Sequence, residues 1–248
     1  MEFTEQGLVL RVGRFREADL WVRFLSARRG IVTTFAFGGC RSRRRFCGCL
    51  DLLNLVLFRA KSTRNGTYLS LQEGTLLNGP QRLRHDWRRV GLAVNCIQFL
   101  DALGVGPDGA ADAFALMMDI LTVLEADEEP TPLLPVFFRV ALASTQGYAP
   151  RFDACSYCGK PAHAVDEAWF MVREGGFVCP DCPPSASSRV GIGRETLDAL
   201  RFVQDNPPLR WSELRLPPAV RRECSRAVDG FIQYHIGLAW DNGRFRRL

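Results

Sequence analysis

A chain of 248 residues, 47% hydrophobic and 24% charged, is long enough to bury one large or two modest cores without covalent staples. No run reaches the roughly 18 uninterrupted apolar residues of a membrane helix, and the opening MEFTEQGLVLRV has no basic stretch leading into an apolar one. These features exclude a membrane association and predict a cytoplasmic protein. The net charge of +5 is unevenly spread: residues 1–89 carry 17 Lys or Arg against 7 Asp or Glu, residues 90–139 carry 1 against 8, and residues 140–248 carry 14 against 12. A basic first third attracts polyanions, of which a phosphate backbone is the commonest. Lys61 and Lys160 are the only lysines; codon composition explains that preference for Arg, but not the segregation of charge.

Up to about residue 79 the pattern is that of strands. GLVLRVGRF, DLWVRFLS, GIVTTFAFG, LLNLVLFRA and TYLSLQEG are short runs rich in Val, Leu, Phe and Thr, separated by polar stretches such as ARRG and STRNG. Leu20, Val22 and Phe24 alternate with Trp21 and Arg23, and Ile31, Thr33, Phe35 and Phe37 alternate with Val32 and Thr34. Asn65-Gly66 predicts a tight hairpin, because a two-residue type I′ turn needs positive φ at both central residues. Five such strands suit a small barrel, and an OB-type or an SH3-like barrel fits equally well.

From about residue 80 the period becomes helical. Val90, Val94, Ile97, Leu100 and Leu103 mark one helix, and Phe114, Met117, Met118, Leu121 and Leu124 a second. LPVFFRVALASTQGY is a third, begun after Pro135 and stopped near Gly147, while GRETLDALRFVQ and PPAVRRECSRAVDGFIQYHIGLAW read as two more. The expected domains are therefore residues 1–79 and a helical domain over 80–248, interrupted at about 150–188.

The interruption contains Cys155-x2-Cys158 and Cys179-x2-Cys182 with twenty residues between them, the spacing of a four-thiolate zinc ribbon. Gly159 and Pro180 suit the tight knuckles, and AWFMVREGGFV reads as a hairpin turning at Gly175-Gly176. A site closed by four thiolates is structural and holds no activated water. His163 is read as a surface residue. Cys40, Cys47 and Cys49 in FGGCRSRRRFCGC lack a fourth partner at knuckle spacing; small apolar packing at a barrel rim and arginine-activated thiols are the alternatives.

Enzyme signatures are missing: no GxxxxGK[ST], GxSxG or HExxH occurs, and GVGPDG follows a helix where a nucleotide fingerprint requires a strand. Cys224 and His235 fall in one amphipathic helix and read as a packed thiol and a half-buried imidazole.

Taken in order, GLVLRVGRFREADLWVRFLS, RGIVTTFAFGGCRSRRR, FFRVALASTQGYAPRFDACSYCGK and the terminal GRFRRL resemble the bacterial recombination mediator RecO family over essentially the whole chain. Cys40 departs from the alanine usual at its position. The resemblance implies an α+β multidomain protein: a five-stranded OB-type β-barrel, then a helical domain carrying a four-Cys zinc ribbon with structural Zn(2+) on Cys155, Cys158, Cys179 and Cys182. It further implies a nucleoid-associated protein without catalysis. Such a protein binds single- and double-stranded DNA, anneals complementary strands, and partners RecR and the acidic C-terminal tail of the single-stranded DNA-binding protein in loading RecA.

Phosphate contacts are expected from Arg41, Arg43, Arg44 and Arg45, extended by Arg11, Arg14, Arg16, Arg59, Lys61 and Arg64. Phe15, Trp21 and Phe46 are the candidates for base stacking, set against the more usual place of such residues in a core. Arg139, the only Lys or Arg in residues 90–139, is the candidate anchor for the acidic tail, with a local ion pair as the alternative. A zinc-ribbon adaptor that binds only proteins and a nucleic-acid modifying enzyme are the competing readings.

Overall fold

The computed structural model describes residues 2–63, 68–183 and 188–248. The expected Asn65-Gly66 turn and Arg64 lie outside them. The chain forms two compact units, Met1–His85 with Gly104–Ala115, and Asp86–Leu103 with Leu116–Leu248.

In the first unit β1 (Glu2–Arg14), β2 (Leu20–Ser26), β3 (Gly30–Ala36), β4 (Leu55–Ser62) and β5 (Leu69–Asn78) close into a barrel in the order β1-β2-β3-β5-β4. The short helix α1 (Arg82–His85) follows. β1 begins well before the apolar run that predicts it, because Glu2 to Leu8 pair with β4 while Leu8 to Arg14 pair with β2. Side chains alternate across the wall, so Val22, Phe24, Val56, Phe58 and Ala60 face inward and Phe24 meets Phe58 at 4.8 Å between ring centroids.

On β3 the smaller set is the inner one: Val32, Thr34 and Ala36 are buried, and Phe35 lies outside. The Thr34 hydroxyl donates to the Val22 carbonyl at 3.1 Å, which makes its burial tolerable. Phe46 and Cys49, from the connection between β3 and β4, complete the core. Phe46, 4% exposed, is thus a core residue and cannot meet a base.

In the second unit α2 (Trp87–Leu103) starts where the Asp86 carboxylate accepts the backbone N–H of Arg88 at 2.8 Å, the capping that an acidic residue supplies. α3 (Ala110–Glu125) contributes its later turns, from Leu116 on, to this unit. α4 (Leu134–Thr145) is buried almost all round and packs against α2, α5 (Arg194–Asp205) and α6 (Pro218–Ile236). Between α4 and α5 lie β6 (Glu167–Met171) and β7 (Gly176–Val178), the expected hairpin. A third strand, β8 (Arg189–Gly193), pairs with the other edge of β6 and was not foreseen.

The last helix is shorter than its sequence suggests. Gly237, with φ of 71°, caps α6 in the left-handed conformation, and β9 (Leu238–Asp241) and β10 (Arg244–Arg247) form a hairpin in place of a continued helix. Phe245 anchors it, with ring centroids 5.1 Å from Phe99 and 4.9 Å from Trp240. Among the described residues no helix is long and apolar enough to cross a membrane.

One backbone position tests the first unit. Gly30 turns β2 into β3 with φ of 69°, and a Cβ there would lie 2.2 Å from the Val105 carbonyl oxygen that accepts the Ile31 N–H. Gly30→Ala should lower the urea unfolding free energy by about 2 kcal/mol or more, as a left-handed backbone and a steric clash combine.

Candidate nucleic-acid interface and thiol cluster

The outer wall of the barrel is aromatic where β1, β2 and β3 meet. Phe35 is the hub: its ring centroid lies 4.9 Å from Phe15, 6.3 Å from Phe37 and 5.3 Å from Tyr68. Phe15, Phe37 and Tyr68 are 49%, 40% and 55% exposed, too much for residues held in place by a core. Trp21 pairs with Phe35 across β2 and β3 and is half-buried, its indole lying over Gly13 and beneath Arg11 at 5.8 Å.

Basic residues border these rings. Arg14 and Arg16 flank Phe15, with Arg16 stacked over its ring at 5.3 Å. The connection leaving β3 is tied to the same hairpin end: the Gly38 N–H donates to the Asp19 carboxylate at 2.8 Å and the Cys40 N–H to the Ala18 carbonyl at 3.0 Å. Arg41, Arg43 and Arg44 are exposed there, and their guanidinium groups have no ion pair or hydrogen bond among the described residues. Lys61 on β4 faces Ser70 on β5, which pairs with Phe35, so its ammonium joins the same outer face.

Other expected contacts are spent on the fold. Arg45 turns back to donate to the Phe37 carbonyl at 2.6 Å, and its own carbonyl accepts the Gly74 N–H at 2.8 Å. Arg59 lies between Glu2 at 3.4 Å and Glu73 at 2.9 Å. Arg139 is buried in the second unit, where it donates to Asp229 at 2.7 Å and to the Pro135 carbonyl and stacks on Phe245. Burial lowers its pKa and raises that of Asp229, and each charge limits the other's shift. The ion pair is thus made with α6 and not with the acidic helices of residues 90–139.

The four cysteines of the two knuckles come together in the second unit. The sulfurs of Cys155, Cys158, Cys179 and Cys182 all lie within 4.8 Å of one another, a cluster compatible with one metal ion. Each knuckle folds by its own hydrogen bond, Gly159 N–H to Cys155 carbonyl at 2.9 Å and Cys182 N–H to Cys179 carbonyl at 3.1 Å. The hairpin supplies the second knuckle, and the Ser156 N–H donates to the Phe177 carbonyl at 2.8 Å to hold the two together. Burial raises the Cys155 thiol, yet N–H groups of Cys158, Cys179 and Tyr157 outweigh it and bring its pKa down to about 6. Lys160 and Asp181, one from each knuckle, pair at 2.9 Å across the cluster. His163 is exposed and belongs to no ligand cluster among the described residues.

Two of the remaining thiols, Cys49 and Cys224, are buried and unactivated. Burial pushes Cys49 up to about 11 and Cys224 up to about 12. Cys224 and His235 are separated by about 16 Å of helix rise, and His235 is bonded to the Val172 carbonyl at 2.9 Å. Sequence reasoning missed Phe35, Phe37 and Tyr68 as surface rings; the alternation on β3 was visible, but not which set faced in.

Two family models match in succession, recombination protein O N terminal over residues 1–80 and recombination protein O C terminal over residues 84–244. Among curated relatives, a DNA repair protein RecO of Nitratidesulfovibrio vulgaris is 63% identical over the full length of both chains. The protein of that name from Oleidesulfovibrio alaskensis is 56% identical over the full length of both. A more distant one from Anaeromyxobacter is 30% identical over 96% of this chain and 93% of its own.

The geometry separates structural from free arginines in one loop. Arg45→Ala should lower the urea unfolding free energy by about 1 kcal/mol, the worth of the missing hydrogen bond. Arg43→Ala and Arg44→Ala should stay within about 0.5 kcal/mol of the parent.

Proposed function

The chain belongs to the recombination protein O family, its role lies in DNA repair and recombination, and from that premise we propose that it is a mediator that binds single- and double-stranded DNA and anneals complementary strands. With RecR it would help load RecA onto DNA coated with single-stranded DNA-binding protein, whose acidic tail is its other proposed partner. The family is one of recombination mediators, not of catalysts.

The observation that carries the reading is the outer face of the barrel, where three rings gather on Phe35 beside Arg41, Arg43 and Arg44, unpaired among the described residues. The strand order β1-β2-β3-β5-β4 supports an OB-type barrel, a fold that binds oligonucleotides on the face of its second and third strands. Rings stack on any base and guanidinium groups grip any phosphate, so the face suits binding without sequence preference. Annealing then needs no acid, base or nucleophile: basic side chains hold two polyanions together and screen their repulsion. Arg14, Arg16 and Lys61 extend the proposed track, and Arg11 borders it over Trp21.

We read the thiol cluster as a zinc ribbon. Four thiolates at about 2.3 Å from a tetrahedral zinc ion would stand about 3.8 Å apart, and the 3.6 Å between the sulfurs of Cys158 and Cys179 fits that spacing. Zinc here would supply fold stability, with its four positions filled by Cys155, Cys158, Cys179 and Cys182.

Arg41, Arg43 and Arg44 changed together to Ala should weaken single-stranded DNA binding and reduce the slope of log affinity against log salt by about 2, at about 0.7 for each phosphate no longer neutralised. Phe35→Ala should cost about 1–3 kcal/mol for single strands and much less for duplex. Fluorescence anisotropy across a salt series measures both, and parental slopes and affinities in these variants would remove the interface.

Metal analysis should return one zinc per chain, and Cys158→Ser should release it and lower the melting temperature of the second unit. A protein that melts identically before and after chelation would show that the cluster holds no structural metal.

A further inference from the structure

A second group of unopposed arginines lies far from the barrel in sequence. Pro218, Arg221, Arg222, Ser225 and Arg226 recur along α6 at steps of three and four residues, share one face, and line a shallow groove on it. The opposite face, with Val220, Cys224, Ala227, Val228 and Phe231, is buried. Three cations within six residues repel one another, Arg222 and Arg226 above all, which stand one helical turn apart.

The helix holds carboxylates that would relieve this repulsion, but they are turned elsewhere. Glu223 accepts the Gly193 N–H at 2.9 Å and the Thr196 hydroxyl at 2.6 Å. Asp229 is committed to Arg139. The guanidinium groups of Arg221 and Arg222 meet no acceptor among the described residues, and Arg226 reaches only the Arg222 carbonyl, at 3.5 Å.

We propose that this face of α6 is a second phosphate-binding track, which holds the backbone of a nucleic-acid strand on the second unit. The chemistry favours a phosphodiester backbone over an acidic peptide with an apolar end. Among the described residues the groove is lined, apart from the arginines, only by Pro218 and Ser225, so it holds no large apolar side chain to seat an apolar end and no ring to stack on a base. Guanidinium groups match phosphate oxygens in pairs, and the three span about 7.5 Å of helix axis. The track goes beyond the barrel reading, since it stands on different residues in a different unit.

The test uses the full chain and a fluorescent oligonucleotide, with anisotropy followed over a salt series. Arg221→Gln, Arg222→Gln and Arg226→Gln combined should lower affinity at least tenfold at low salt and reduce the salt slope by about 2. The corresponding triple change to Lys, which keeps the charge, should hold the parental slope. Circular dichroism melting of both variants shows whether α6 remains folded, and a Gln variant that is folded with parental slope and affinity overturns the track.

Combination with the Arg41, Arg43 and Arg44 changes separates the two interfaces. Weakened binding by the α6 variant alone supports this track whatever the barrel variant does, whereas weakened binding by the barrel variant alone overturns it. An acidic, apolar-ended peptide that loses affinity for the Gln variant while the DNA slope is unchanged also overturns it, in favour of a protein partner.

Discussion

The first unit depends on one strand belonging to two ladders. β1 is 13 residues long; its first half pairs with β4 and its second half with β2, and a bulge between Val9 and Arg11 marks the change of partner. The Val9 carbonyl accepts the Leu53 N–H and the Val9 N–H donates to the Asn54 carbonyl, both at 2.9 Å, so the chain entering β4 is fixed at the same place. Closure removes the free sheet edges and buries Val22, Phe24, Val56 and Phe58 against one another. It also decides which side chains remain outside. Phe15 at the end of β1, Phe35 on β3 and Tyr68 before β5 reach one another only because the barrel brings those three chain segments to one side.

Charge in this protein is sorted by what each cation is bonded to, more than by where it falls in sequence. The excess over residues 1–89 is real, but Arg29 is paired with Glu5, Arg59 with Glu2 and Glu73, and Arg84 with Asp51. Arg89 is 8% exposed and donates to the carbonyls of Leu124, Ala126 and Glu128, closing the C-terminal end of α3, where a cation also meets the helix dipole favourably. The Arg89 guanidinium costs no less to desolvate than any other, and its three hydrogen bonds are what make its burial tolerable. Within residues 1–89, what remains for a polyanion is a smaller set: the loop after β3, the β1–β2 hairpin end and Lys61.

Much of this was legible in the sequence and some was not, for reasons that lie in the residues. The strand and helix periods and the two C-x2-C knuckles were readable because each is local: spacing along the chain determines them. The parity of β3 was not, since Ile31, Thr33, Phe35 and Phe37 are bulkier than Val32, Thr34 and Ala36, and bulk ordinarily marks the inner face. A buried hydroxyl bonded across to β2 and rings gathered outside reverse that choice, and both depend on partners distant in sequence. The hairpin after α6 was hidden differently: Leu238, Ala239 and Trp240 continue an apolar pattern that only the left-handed Gly237 interrupts. Among the loop cysteines, Cys49 went to the core because Asn54 donates to the Cys49 carbonyl at 3.1 Å and turns the chain back under the barrel.

In the second unit α6 does for the thiol cluster what β1 does for the barrel. His235 bonds the Val172 carbonyl at 2.9 Å, Phe231 lies against Gly175 at the tip of the β6–β7 hairpin, and Glu223 holds Gly193 at the end of β8. All three contacts fasten the three-stranded sheet that carries the second knuckle to one helix. A helix that commits Glu223, Asp229 and His235 to such bonds leaves its arginines without an acid of their own helix to meet. The outward cations of α6 and its hold on the β6–β8 sheet are therefore two consequences of the same division of its faces.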